Sequence, residues 1–313
     1  MFKYIFGPVF SSRLGISLGV DLVGANICTF DCLYCESGKT EIKTVDRSAY
    51  VSLDIIMQEL GAWFEQTSRK PDHITLGGPG EPCLNSGLGD IIFSIKKTYP
   101  DIPLAVLTNA SMLSRSQVRN ELLQADVILP SLDTMVEEEF IRLNRPHPGI
   151  RLAEIVQGLL DFQKEYTGKI FLEVLLVPGI NDSKANFTLL SDFRNRLRPD
   201  RVDITTMSRP GAYLDTQKDN SLDLDDWRRE FSSPPVEWTK PKIKNPEAGL
   251  REKIAASIKR RPQTPGQLAT ALGADIDNVL STLKQMQTTR EVESTIRDTT
   301  KQKFYRIRGN NAG

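Results

Sequence analysis

The chain has 313 residues, 40 Lys+Arg against 40 Asp+Glu, 39% hydrophobic side chains, two histidines and four cysteines. This is the make-up of an ordinary folded protein with room for one large domain and a smaller one, which excludes low-complexity and disordered readings. The cysteines are too few and too uneven for a secreted disulfide framework, the N-terminus lacks a signal-peptide core, and no apolar run approaches a membrane span, so a reducing, cytoplasmic setting without membrane contact is expected.

From about Ser17 to Thr206, short β-rich runs alternate with longer helical ones, the pattern of βαβ units and a parallel sheet. Six strands are expected, at Ser17–Leu22, His73–Leu76, Leu104–Thr108, Val127–Ser131, Lys169–Val177 and Arg201–Thr206. Helical segments lie near 52–66, 86–98, 114–124, 134–142, 151–166 and 184–196. The loops beyond the C-terminal ends of such strands are where α/β sheets and barrels place their chemistry. A stretch with four prolines, 232–249, reads as a linker between a domain at 1–231 and another at 250–313. After it come a helix at Leu250–Lys259, a second opened by the Thr264-Pro265 cap pair, a third from Asp275 to about Met286, and β-rich runs at Glu291–Ile296 and Lys303–Arg308. Three helices and a ribbon at this spacing predict a small winged helix-turn-helix. Residues 251–310 carry twelve Lys+Arg against six Asp+Glu and the first 250 carry 28 against 34, a basic tail on an acidic body.

Three of the four cysteines fall in one CxxxCxxC segment, Cys28, Cys32 and Cys35. A tetrahedral zinc site needs four ligands, and the remaining cysteine, Cys83, and the histidines His73 and His147 all lie far along the chain. A cubane iron-sulfur cluster normally takes four cysteines, so three leave one iron open to a substrate or cofactor. Unligated cysteines or a redox dithiol would not require three at this spacing.

With Tyr34 just before the third cysteine and Gly77-Gly78-Pro79-Gly80-Glu81-Pro82 directly after the second strand, the chain resembles the radical S-adenosylmethionine (SAM) superfamily. Ser12-Arg13-Leu14-Gly15-Ile16-Ser17-Leu18-Gly19-Val20-Asp21-Leu22 and Leu143-Asn144-Arg145-Pro146-His147 make it similar to the branch of iron-sulfur oxidoreductases that includes the wyosine-type tRNA-modifying enzymes. The resemblance implies an α/β partial (β/α)6 TIM-like barrel, a 4Fe-4S cluster on Cys28, Cys32 and Cys35, and SAM across the strand ends. It assigns the methionyl amino group to the loop of Gly77, Gly78, Gly80 and Glu81, the methionyl and ribose groups to Thr108, Asn109, Ser131 and Asp133, and the adenine to the neighbourhood of Val177–Ile180. It implies an enzyme that draws on a low-potential electron donor to cleave SAM into methionine and a 5′-deoxyadenosyl radical. No cysteine precedes Cys28, so one cluster is all that this segment can hold.

The expected substrate is RNA or tRNA, recruited by the winged helix, with a protein or peptide second. The competing reading is an iron-sulfur redox sensor that binds DNA through the winged helix without catalysis, and a sensor has no use for a SAM loop. The recognition segment holds Asp275, Asp277, Asn278, Ser281, Thr282, Lys284 and Gln285 but no arginine, whereas Lys259, Arg260, Arg261, Arg297, Lys301, Lys303, Arg306 and Arg308 suit a phosphate backbone read without sequence.

Overall fold

The computed structural model of the protein describes residues 2–67, 70–207, 211–214, 224–232, 234, 249–260, 262–296 and 302–308, with the side chains at 259 and 260 set aside. A hairpin comes first: β1 (Ile5–Ser11) pairs antiparallel with β2 (Gly15–Val20). The two-residue strands β3 (Ile27–Cys28) and β4 (Ile42–Lys43) then bracket the cysteine segment as a parallel pair. Strands and helices alternate from there: α1 (Leu53–Gln66), β5 (His73–Leu76), α2 (Leu88–Thr98), β6 (Leu104–Thr108), α3 (Ser116–Leu122), β7 (Val127–Pro130), α4 (Glu137–Asn144), α5 (Leu152–Glu165), β8 (Lys169–Leu176), α6 (Lys184–Leu197) and β9 (Arg201–Thr206).

The main sheet runs β1-β2-β5-β6-β7-β8-β9, parallel from β2 onward. Strands that follow one another in chain order with helical crossovers keep their helices on one face and curl the sheet, which gives the expected partial (β/α)6 barrel. The two faces differ in cover. Along β8 the residues Ile170, Leu172, Val174 and Leu176 are buried towards the helices, while Phe171, Glu173 and Leu175 alternate onto the half-open concave face.

Besides the two-residue β3 and β4, two elements depart from the sequence reading. β1 was not anticipated because Gly7 and Pro8 interrupt its apolar run, yet proline is tolerated on an edge strand, and β1 is the edge. It adds an antiparallel strand to the six parallel ones. The second is α7 (Leu224–Glu230), whose turns are mostly charged but whose Trp227 is buried, stacks on Phe231 with ring centroids 5.9 Å apart and meets Phe187 edge-on.

At the C-terminal end, α8 (Leu250–Arg260), α9 (Pro265–Leu272), α10 (Ile276–Thr288) and the antiparallel pair β10 (Val292–Ile296) and β11 (Lys303–Ile307) follow the expected order of three helices and a ribbon. Thr264 and Gln267 form a capping box at α9, Gly273 closes it at φ +67°, and the Asp275 side chain caps α10. These elements share a core of their own, including Ile254, Ile258, Leu268, Val279, Leu283 and Met286. Helices α8 and α9 pack on β1. Of the proline-rich stretch expected as a linker, Ser233 and residues 235–248 lie outside the described residues. Among the described residues no helix is long and apolar enough to cross a membrane.

Helix α5 approaches the loop after β6 through Gly158, where an added Cβ would stand 2.6 Å from the Leu113 carbonyl carbon and the Ser114 nitrogen. Backbone cannot yield as a flexible side chain can. Gly158→Ala should therefore destabilise the protein by about 1–3 kcal/mol in denaturant unfolding, despite alanine's higher helix propensity.

Candidate functional site

The cysteine segment is a closed loop. The Asn26 carbonyl accepts from the Glu41 and Ile42 amides, its side-chain amide donates to the Ser37 and Lys39 carbonyls at 3.0 and 3.1 Å, and the Thr44 amide donates to the Cys28 carbonyl at 3.0 Å. The C-terminal end of α4 lies alongside. There the Asp31 and Leu33 amides donate to the Asn144 and Leu143 carbonyls, and the His147 amide donates to the Thr29 carbonyl. The Leu143–His147 motif thus grips the loop by its backbone. Its Arg145 pairs with Asp31 at 3.2 Å and stacks on the ring of Tyr213, whose hydroxyl also donates to Asp31.

All four cysteines are unpaired. The Cys28 sulfur accepts a hydrogen bond at 3.4 Å from the Asn109 side-chain amide, and the Phe30 and Thr29 backbone favour its thiolate. Cys32 accepts from the Asn144 side-chain amide at 3.5 Å, and the backbone and hydroxyl of Ser37 favour the Cys35 thiolate. Donors at every sulfur suit thiolates, the form in which cysteine binds metal. Burial, with the carboxylate of Glu81 behind it, nevertheless pushes the Cys28 thiol up to about 12, and burial with the neighbouring Cys28 and Cys35 sulfurs pushes Cys32 up as well. A metal held by these sulfurs would take the place of their protons. Among the described residues no three His, Cys, Asp or Glu side chains are gathered as for a single ion. A cubane takes one thiolate on each of three separate irons and asks for a wider spacing. The donor set fits a cluster better than a mononuclear metal.

Against this loop lies the glycine segment after β5. Gly80 adopts φ +99° and bridges to Ile27, and an added Cβ would stand 2.2 Å from the Ile27 carbonyl oxygen. The Glu81 amide donates to that same oxygen at 2.9 Å. Gly77 is anchored by its amide to the Val20 carbonyl, and Gly78, at φ +156°, passes against Asp21. The Glu81 side chain is buried: one oxygen accepts from the Cys83 amide at 3.0 Å and the Thr108 hydroxyl at 2.7 Å, the other from the Asn109 amide at 2.8 Å. Burial holds its carboxyl above the usual range. Cys83 is fully buried, and its thiol meets Thr108 instead of the cysteine loop.

Beyond β7, Ser131 bridges to Glu173, and Asp133 is buried. The Asp133 carboxylate accepts from the Tyr34 hydroxyl, from the Asn144 amide at 3.0 Å and from the Leu175 backbone at 2.9 Å. Tyr34 and Asp133, assigned separately from sequence, are therefore one contact that joins the cysteine loop to β7 and β8. Val177 and Ile180 border an apolar patch with Tyr34, Leu143 and Met207. Sequence reasoning did not find Asn144 as a partner of a cysteine sulfur. The one signal was its place inside the Leu143–His147 motif.

On the concave face, a cavity of about 180 Å³ opens under Gly77 and Gly78 and is lined by Arg13, Ser17, Thr75 and, from α8, Ser257. Arg13, at its wall, pairs with Glu173. The Ser257 hydroxyl receives a hydrogen bond from Gln263 at 2.7 Å, which leaves its own proton to donate.

Residues 22–189 match the Radical SAM superfamily. The chain is 31% identical over 300 residues, 94% of its length, to a protein of Brachyspira hyodysenteriae described as GTPase Obg, and spans 44% of that relative. It is 37% identical over 210 residues to a UPF0026 protein of Synechocystis, covering 67% of this chain and 77% of the relative. Among solved structures, a radical SAM methyltransferase from Sphaerobacter thermophilus superposes with a TM-score of 0.46 at 18% identity over 60% of this chain and 55% of that one.

The junction of the two loops can be tested at Gly80. Gly80→Ala would force a side chain into φ +99° against the Ile27 carbonyl, at about 1–3 kcal/mol of local strain. The expected result is less iron retained per chain after anaerobic reconstitution, with the far-ultraviolet circular dichroism unchanged.

Proposed function

The chain belongs to the radical SAM superfamily and to the UPF0026 family within it, and from that premise we propose that it is an enzyme that cleaves SAM reductively in order to modify RNA. The observation that carries the catalytic part is the junction at Ile27 and Gly80, which holds the cysteine loop, two of its sulfurs met by asparagine amides, next to a glycine loop with a buried carboxylate. When bound, the 4Fe-4S cluster and SAM supply one-electron cleavage of a sulfonium, the source of a 5′-deoxyadenosyl radical that abstracts hydrogen from substrate.

The chain's own residues have definite parts in this reading. Cys28, Cys32 and Cys35 hold the cluster, and the tyrosine between the last two fixes their loop to Asp133. Gly77, Gly78 and Gly80 let backbone approach the methionyl group, while the acidic Glu81 accepts from its ammonium. Thr108 and Asn109 hold that carboxylate in place. Ser131 and Asp133 stand at the ribose side and the Val177–Ile180 turn at the adenine side, where the apolar patch excludes water. The cavity lined by Arg13, Thr75 and Ser257 takes the part of the substrate that reacts. A low-potential donor protein delivers the electron.

The RNA part rests on the likeness of Ser12–Leu22 and Leu143–His147 to the wyosine-type branch. It is supported by Lys39, whose ammonium lies over the Tyr213 ring beside the cysteine loop, and by Lys43, which reaches the carbonyl of Arg145, itself ion-paired with Asp31. The C-terminal elements bring Lys303 and Arg308, though Arg251 and Arg306 there are ion-paired with Glu291 and Glu293.

Anaerobic reconstitution with iron and sulfide, then dithionite and SAM, should yield 5′-deoxyadenosine on chromatography. Alanine at Cys28, Cys32 or Cys35 should abolish both bound iron and product, whereas Cys83→Ala should keep both. A cluster that neither binds nor cleaves SAM would return the reading to a redox sensor. Affinity for bulk tRNA should fall steeply between about 50 and 200 mM salt as phosphate contacts are screened. A flat response would exchange RNA for a protein substrate.

A further inference from the structure

Two of the three cysteine sulfurs receive a side-chain amide, and both amides are built in the same way. On Asn109, Oδ1 accepts from the Ser111 backbone at 3.0 Å, which fixes the orientation of the group. Its Nδ2 then divides two protons between the Thr29 hydroxyl at 2.8 Å and the Cys28 sulfur at 3.4 Å. On Asn144, Nδ2 divides its protons between the Asp133 carboxylate at 3.0 Å and the Cys32 sulfur at 3.5 Å. Asp133 is itself held by Tyr34 and Leu175. In each case an oxygen locks the amide and leaves one proton aimed at sulfur. Both lengths exceed the roughly 2.7–3.2 Å of a bond to oxygen, as the larger sulfur atom requires.

Both sulfurs so treated face buried carboxylates, Cys28 towards Glu81 and Cys32 towards Asp133, as Cys35 also does towards Asp31. Negative charge at that range in a medium of low dielectric opposes the addition of an electron to anything the sulfurs hold. A fixed N–H dipole at the sulfur acts in the opposite sense, and more strongly on the more negative state. We propose that Asn109 and Asn144 are positioning residues that raise the reduction potential of the cluster on Cys28, Cys32 and Cys35, each by donating one amide proton to a ligand sulfur. This rests on the assignment of the cluster under Proposed function. The step concerned is the uptake of one electron from an external reductant by the oxidised cluster, with no bond made or broken.

The test is a potentiometric titration of the reconstituted full-length protein with dithionite, followed by electron paramagnetic resonance. Asn109→Leu and Asn144→Leu keep approximate size and remove the donor. Each should shift the one-electron reduction equilibrium about tenfold towards the oxidised form, a midpoint about 59 mV lower, and the double variant about twice as far. Ser114→Ala changes an exposed side chain of the same loop that touches neither sulfur nor asparagine and should leave the midpoint in place. An unchanged midpoint in the leucine variants, or an equal shift in Ser114→Ala, would overturn the proposal. Should a variant lose its iron, the wild-type protein labelled with 15N in the asparagine side-chain amides decides: hyperfine coupling of that nitrogen to the reduced cluster supports the proposal, and its absence overturns it. Wild-type protein that takes up no iron and sulfide would instead overturn the cluster assignment, and this proposal with it.

Discussion

The carboxylate of Glu81 is the interaction on which the site depends. It sits where charge is costly, and such a group persists only when its oxygens are hydrogen-bonded. Its hydrogen-bond donors come from its own turn, from the end of β6 and from the residue beyond it, so that one side chain sets the distance between the ends of β5 and β6. Through its backbone amide, it also holds the Ile27 carbonyl and with it the start of the cysteine segment. The glycine loop, the cysteine loop and the β6 loop are thereby a single rigid corner and not three adjacent turns.

Asp133 plays the matching part on the other side. It gathers the tyrosine of the cysteine loop, an asparagine from the end of α4 and the backbone of β8. Between these buried acids lie sulfurs whose thiols burial keeps protonated, ringed by donors that favour the opposite form. The site is thus divided against itself until a metal arrives, and this fits a protein whose loop is completed by its cofactor.

Much of this was legible in the sequence because the spacing of the cysteines, the glycine loop and the six strands are local patterns. The helices fell within a few residues of expectation for the same reason: Ser52, Ser183, Thr264 and Asp275 are caps that act on their own first turn. What could not be read was pairwise and distant. Tyr34 and Asp133 were each visible as candidates, but the bond between them spans 99 residues. Asn144 was visible as part of a motif, and its partner sulfur is 112 residues away. β1 escaped because its strand character comes from pairing with β2, against the local preference of Gly7 and Pro8.

The packing of α8 and α9 on β1 has a consequence for how such a sheet survives in solution. A curled sheet that stops short of closure has an outermost strand with unpaired backbone groups, the usual template for adding a foreign strand. Here that strand lies beneath two helices whose own core is separate from the barrel's. The C-terminal elements therefore act as a guard against strand-to-strand association, and through Ser257 the same guard forms a wall of the cavity. Colloidal stability and the shape of the chamber are consequently inherited together, and a lineage that discarded the tail would have to find a new cover for one and a new wall for the other.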